Sequence, residues 1–160
     1  MAFTLRALRL LAIVAWLGGL IFFAFVEAPT AFHVMGTNRQ FAQLIGGSIN
    51  TLNHMGLAAG LVFMIATLVL WFGSSTRLRR LLVAQIVVVF LMISAIVYVQ
   101  ASIIPAMERD RAAAGGDITS VPTSNPTRAD FDRRHELSEK VEGAALFLGL
   151  AVVFLMAAEG

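Results

Sequence analysis

Four apolar stretches divide the chain. The first runs from Leu5 to Val26 with no charge after Arg9, and the second has an apolar core at Met55–Phe72. The third, Leu81–Ile104, carries no charged residue; the fourth, Val141–Ala158, carries only Glu142 near its start. A helix crossing a bilayer needs about 20 such residues, and lipid offers no water to satisfy a broken backbone. The pattern predicts one integral membrane domain over residues 1–160, an all-α four-helix transmembrane bundle. Its spans are expected at about 5–26, 50–73, 81–104 and 140–158. The first span is longer than the roughly 7–15-residue core of a signal peptide and is expected to stay in the protein.

The connections differ in character. Phe41, Leu44, Ile45 and Ile49 recur at spacings of three and four, which gives one apolar face. An amphipathic helical extension should therefore lead into the second span, capped by Thr37 or Asn38 and bending at Gly46 and Gly47. The segment at about 107–130 holds Pro122, Pro126 and several Ser and Thr, and is expected to be a mobile loop.

Composition sharpens the class. Of 160 residues, 58% are hydrophobic and 14% charged, where a soluble domain carries roughly 25% charged residues. A soluble enzyme and a nucleic-acid-binding domain are both at odds with that balance. The pI of 9.9 rests on a net charge of only +2 and signals no polyanion. The absence of Cys excludes disulfides, zinc–thiolate sites, iron–sulfur clusters and a Cys nucleophile. There is no Gly-x-Ser-x-Gly, phosphate loop or His-Glu-x-x-His.

Charge also suggests an orientation. Arg6, Arg9, Arg77, Arg79 and Arg80 lie in two short segments on one side of the membrane. Arg39, Arg109, Arg111, Arg128, Arg133, Arg134 and Lys140 are spread through longer, acid-containing segments on the other. Local density places both termini in the cytoplasm, with the bacterial inner membrane as the expected location.

Candidate chemistry falls into two groups. Ala15 with Gly19, Gly56 with Gly60, and Ala145 with Gly149 are small-xxx-small pairs, suited to close helix packing within the bundle or to a homo-oligomer seam. Trp16, near the middle of span one, should seek a partner for its indole N–H inside the bundle, while Trp71 suits the interfacial belt. The second group gathers at the non-cytoplasmic end: His33, His54 and His135, with Glu27, Asn50, Asn53, Tyr98, Gln100, Glu139 and Glu142, and with Met35, Met55 and Met107. Such a set fits a polar structural network, haem or copper ligation centred on His54 and His135, or a transport vestibule. Glu142 is the leading single candidate, since a carboxylate in an apolar helix needs a partner, and Ser138 stands one turn earlier on the same face.

Three segments carry a family resemblance. They are Ala15-Trp16-Leu17-Gly18-Gly19-Leu20-Ile21-Phe22-Phe23 with Ala28-Pro29-Thr30-Ala31-Phe32, then Ile104-Pro105-Ala106-Met107 with Arg109, and Phe131-Asp132-Arg133-Arg134-His135-Glu136-Leu137-Ser138. Together they resemble the transmembrane protein 205-like family of small four-span membrane proteins. The resemblance implies the same four-helix fold, with Trp16, Pro105, His135 and Ser138 at the family's motif positions. Arg9 stands where members carry a first-helix histidine, and Ile104 where they tend to carry an acid.

The expected function is that of a non-enzymatic accessory or assembly subunit, or a small oligomer, acting through helix contacts. Its partners would be the bilayer and other membrane subunits or itself, without nucleic acid or a required cofactor. Haem or copper binding, and small-solute transport by a dimer through Glu142, are the alternatives.

Overall fold

The computed structural model describes residues 2–36 and 38–159. Four long helical rods make up the molecule, with no strand among the described residues. The first rod is α1 (Ala2–Phe22), a π-helical turn (Phe23–Glu27) and α2 (Ala28–Met35). The second is α3 (Arg39–Phe72). The third joins α4 (Thr76–Tyr98), a second π turn (Val99–Ile103) and α5 (Ile104–Ala113). After a 3₁₀ turn at Ile118–Ser120, α6 (Pro126–Ala157) is the fourth. All four rods are long and apolar enough to cross a membrane.

Local chemistry explains the element ends. The Asn38 side chain accepts from the Phe41 N–H at 2.8 Å and caps α3; Thr37, the other expected cap, lies outside the described residues. Helix α3 continues through Gly46 and Gly47 without interruption. Much of the loop expected over 107–130 is instead helical. Helix α5 runs on to Ala113 and α6 starts at Pro126, capped by Asn125, whose side chain accepts from the Thr127 N–H. Proline suits that first turn because the N–H it lacks has no intrahelical partner there.

Each π turn sits just ahead of a proline. Pro29 and Pro105 have no N–H, and an α-helix would press their rings on the carbonyls four residues back. The backbone widens instead: the Ala28 N–H reaches the Phe23 carbonyl and the Ile104 N–H the Val99 carbonyl, five residues back in both cases.

That match belongs to a wider internal repeat. The first and third rods correspond position by position, as do the second and fourth. Arg9 aligns with Gln85, Ile13 with Val89, Trp16 with Met92 and Leu20 with Ile96, and all eight are buried. On the partner rods, Gly56 aligns with Ala145, Gly60 with Gly149 and Phe63 with Val152, again all buried. The contacts exchange as a twofold relation requires. A Cβ on Gly60 would strike Trp16 of its own half and Ile93 of the other; one on Gly149 would press on Met92 of its own half and Leu17 of the other.

The core follows from this arrangement. Ile13, Trp16, Leu20, Phe63, Val89, Met92, Ile96 and Val152 form its centre. Lipid is as apolar as these side chains, so association rests on close packing rather than on escape from water. Trp16 lies across Gly56 and Gly60, while Gly19 meets Leu52 and Met55. The three small-residue pairs therefore contribute glycines to the bundle interior rather than to a free seam. Packing is extensive between α1 and α3, α3 and α4, and α4 and α6, but sparse between α1 and α6. One flank of the bundle is left open.

Candidate functional site

The most concentrated polar chemistry lies at the end where α1 begins and α6 ends. Arg9 in α1 is fully buried, as is Gln85 in α4. Glu159, just beyond α6, accepts from two Arg9 nitrogens at 2.5 and 3.2 Å and from the Gln85 amide at 2.8 Å. The Gln85 carbonyl oxygen in turn accepts from Arg9. The guanidinium also stands over the Phe63 ring, 5.2 Å from its centroid. Three rods are thus tied by one charge-assisted network. Arg9 Nε remains buried without a partner.

This arrangement removes Arg9 from the free basic charges counted at that end. Its positive charge is matched inside the protein by Glu159, so Arg6, Arg77, Arg79 and Arg80 supply the basic character of that end. Arg79 rests on the Trp71 ring at 5.1 Å, which suits an interfacial position.

Two cavities adjoin the network. A lateral groove of about 580 Å³ runs between α1 and the end of α6, and a cleft of about 260 Å³ opens beside the α3–α4 turn. Arg6, Arg9 and Glu159 line both.

The opposite end holds the residues singled out from the sequence. Asn53 is fully buried and stands beside the Glu142 carboxyl, yet neither amide atom completes a hydrogen bond of normal geometry. Gln100 donates to the Asn50 side-chain oxygen at 2.9 Å and ties the second π turn to α3. His54 is exposed and bonds through Nδ1 to the Asn50 carbonyl at 2.8 Å. His135 is exposed, stacks on Phe131 and approaches Glu139 at 3.3 Å; Ser138 donates to the His135 carbonyl. His33 and Tyr98 are exposed as well. Among the described residues, no three of His, Asp and Glu group as metal ligands.

The structure therefore joins Asn53 to Glu142 and gives His54 and His135 separate local partners. Within the Phe131, His135 and Ser138 element, the polar contacts of His135 and Ser138 stay inside α6. Trp16 departs from expectation, since its indole N–H is buried with no acceptor. Its large ring is held by the glycines beneath it, and shape outweighs the missing hydrogen bond.

Above these polar groups the rods leave the apolar zone. At 1.5 Å per residue α3 is about 51 Å long and α6 about 48 Å, against roughly 30 Å of bilayer hydrocarbon. The early part of α6 packs with α5 into a charged head. Arg134 pairs with Asp110, Arg111 stands over the Phe131 ring at 5.6 Å, and Arg128 donates to the Ile118 carbonyl at 2.7 Å.

Fold and site together describe a membrane-like helical protein: four rods long and apolar enough to cross a membrane, a polar lock where α1 begins and α6 ends, and a charged head opposite. Residues 11–113 match the model of a domain of unknown function, DUF4149, and the chain belongs to that family. The match includes Trp16, both π turns and both proline positions, and ends before Phe131–Ser138. No curated protein and no solved structure matches the chain.

Proposed function

We propose that the protein is a non-enzymatic accessory or assembly subunit of a membrane complex, working through its head and its helix contacts. The ordered head carries this reading. Its exposed charges include pairs along one helix, Arg133 with Asp130 and Lys140 with Glu136. Ties between α5 and α6 keep the surface in shape outside the lipid. A preformed charged surface of this kind favours recognition by electrostatic complementarity.

The four basic residues at that end, which form no ion pair among the described residues, favour a cytoplasmic position for it, with the head across the bacterial inner membrane. The likeness to the transmembrane protein 205-like family supports a role for the head, because its Phe131–Ser138 element lies there.

Native mass spectrometry of protein gently extracted from its own membrane tests the proposal. The expected mass exceeds 17.3 kDa by that of a second protein. Reversing the exposed charges with Arg133→Glu and Glu136→Lys should release the partner while the melting temperature holds. A mass of one chain plus lipid, or a complex indifferent to both substitutions, overturns the reading.

A further inference from the structure

The groove on the open flank and the cleft beside the α3–α4 turn adjoin, sharing Arg6, Arg9 and Glu159 in their walls. Leu10, Val14 and Gly18 of α1 face Val153 and Met156 of α6 across the groove. From Arg6 to Ile21 this stripe is about 22 Å long, more than half of a hydrocarbon core of roughly 30 Å. The cleft at its end adds Ser74 and Ser75 to Arg6. An apolar channel open to lipid thus ends at a polar, cationic mouth.

We propose that this composite cavity binds an anionic membrane phospholipid, with one acyl chain along the groove and the phosphate at Arg6. Charge complementarity is the first support. Arg6 is exposed and forms no ion pair among the described residues, while the nearby acid, Glu159, is already held by Arg9. Arg9 lines both cavities and keeps a buried Nε donor unpartnered. Ser75, at the start of α4, makes no side-chain cap bond, which leaves first-turn N–H groups beside the cleft for a phosphate.

The repeat supplies an independent argument. The counterpart of the α1/α6 flank is the α4/α3 interface, which is packed shut. At the position matching Arg6 that half carries Leu82, fully buried. The molecule closes one flank with leucine and leaves the other open with arginine. An acyl chain gains little by moving from lipid into an apolar groove, so selection must come from the head group.

The test uses full-length protein stripped of lipid, titrated with phosphatidylglycerol or phosphatidylcholine of identical chains and read by native mass spectrometry. Phosphatidylglycerol is expected to be retained as one bound molecule, on the order of tenfold over phosphatidylcholine, the worth of one charge-assisted contact. Arg6→Ala should abolish that preference. Gly18→Leu should weaken both lipids, because a side chain there meets nothing within 4 Å of its Cβ and grows into the groove without disturbing the fold. An unchanged melting temperature for Gly18→Leu confirms an intact bundle. Equal retention of the two lipids, or preference surviving Arg6→Ala, overturns the head-group assignment. Competition by glycerol 3-phosphate as strong as by the lipid overturns the acyl groove. A change in oligomer mass with Gly18→Leu assigns the flank to a second chain and overturns the proposal.

Discussion

Arg9 and Glu159 stand 150 positions apart in sequence, yet two guanidinium nitrogens meet the two carboxylate oxygens at 2.5 and 3.2 Å. The Arg9 side chain is fully buried and that of Glu159 is 9% exposed. Removing one partner strands a charge, so Arg9→Ala should cost about 3–5 kcal/mol of stability. Replacing the set with Arg9→Met, Gln85→Leu and Glu159→Met should restore most of it. Reversible unfolding in mixed micelles measures both, and a single Arg9→Ala as stable as wild type sinks the lock.

The same pair sets an acid limit. Burial alone raises the Glu159 pKa. Hydrogen bonds from Arg9 and Gln85, with the charges of Arg9 and Arg6, outweigh burial and leave it below the ordinary 4.5. A depressed folded value means the stabilisation is complete above the unfolded pKa and is lost as pH falls through the folded one. Melting midpoints should hold from neutral pH down to about 5 and then drop, and Glu159→Gln should remove much of that drop. Identical acid profiles for the two proteins would assign the loss to other carboxyls.

Trp16 and its glycines make a steric prediction. Gly56→Ala and Gly60→Ala each force the indole aside and should cost about 1–3 kcal/mol, the usual range for overpacking. Gly46→Ala should be tolerated, since a Cβ there meets nothing within 4 Å. Trp16→Phe removes a buried N–H that has no acceptor and should cost far less than Trp16→Ala, at about 3–5 kcal/mol. Comparable losses for Phe and Ala would show that the indole nitrogen matters after all.

The histidines are tested by colour and metal content. With His54 on a backbone carbonyl and His135 between Phe131 and Glu139, protein from cells supplied with haem precursor and copper is expected to show no Soret band and no stoichiometric copper. A band or bound copper that disappears in His54→Ala or His135→Ala would replace the accessory reading with a ligand-binding one.

The four spans were legible because uninterrupted apolar runs of that length have few other solutions. Spacing alone left the small-residue pairs open between packing inside the bundle and a homo-oligomer seam; the structure sets Gly19, Gly56, Gly60 and Gly149 against side chains of neighbouring rods. The lock was not. Arg9 near a span end reads as a topology charge, Gln85 draws no reading, and Glu159 lies far along the chain; only folding brings them together. The available signal was Arg9 and Gln85 near the starts of the first and third apolar runs and Glu159 just after the end of the fourth, all on one side of the bundle. The repeat was hidden because its halves conserve burial rather than identity: Trp16 matches Met92, and Arg9 matches Gln85. At the other end, sequence placed Asn53 and Glu142 in one neighbourhood, and the structure makes them neighbours. The helical reach of α5 went unseen because its composition is polar and Pro105 looked like a terminus.

The two π turns also change how the rods can be read as helices. A π turn amounts to an α-helix with one residue inserted, and at 3.6 residues per turn that shifts everything downstream by about 100°. The stripe that packs α1 into the bundle and the stripe that α2 presents beyond Pro29 are therefore out of phase, and so are those of α4 and α5. Removing one residue, such as Ala24 or Ala101, would bring each rod back into phase. It would leave the apolar segment nearly untouched while rotating the far segment by about a quarter turn. Each inserted residue acts as an angular offset, deciding which side of α2 and α5 faces the protein and which faces outward.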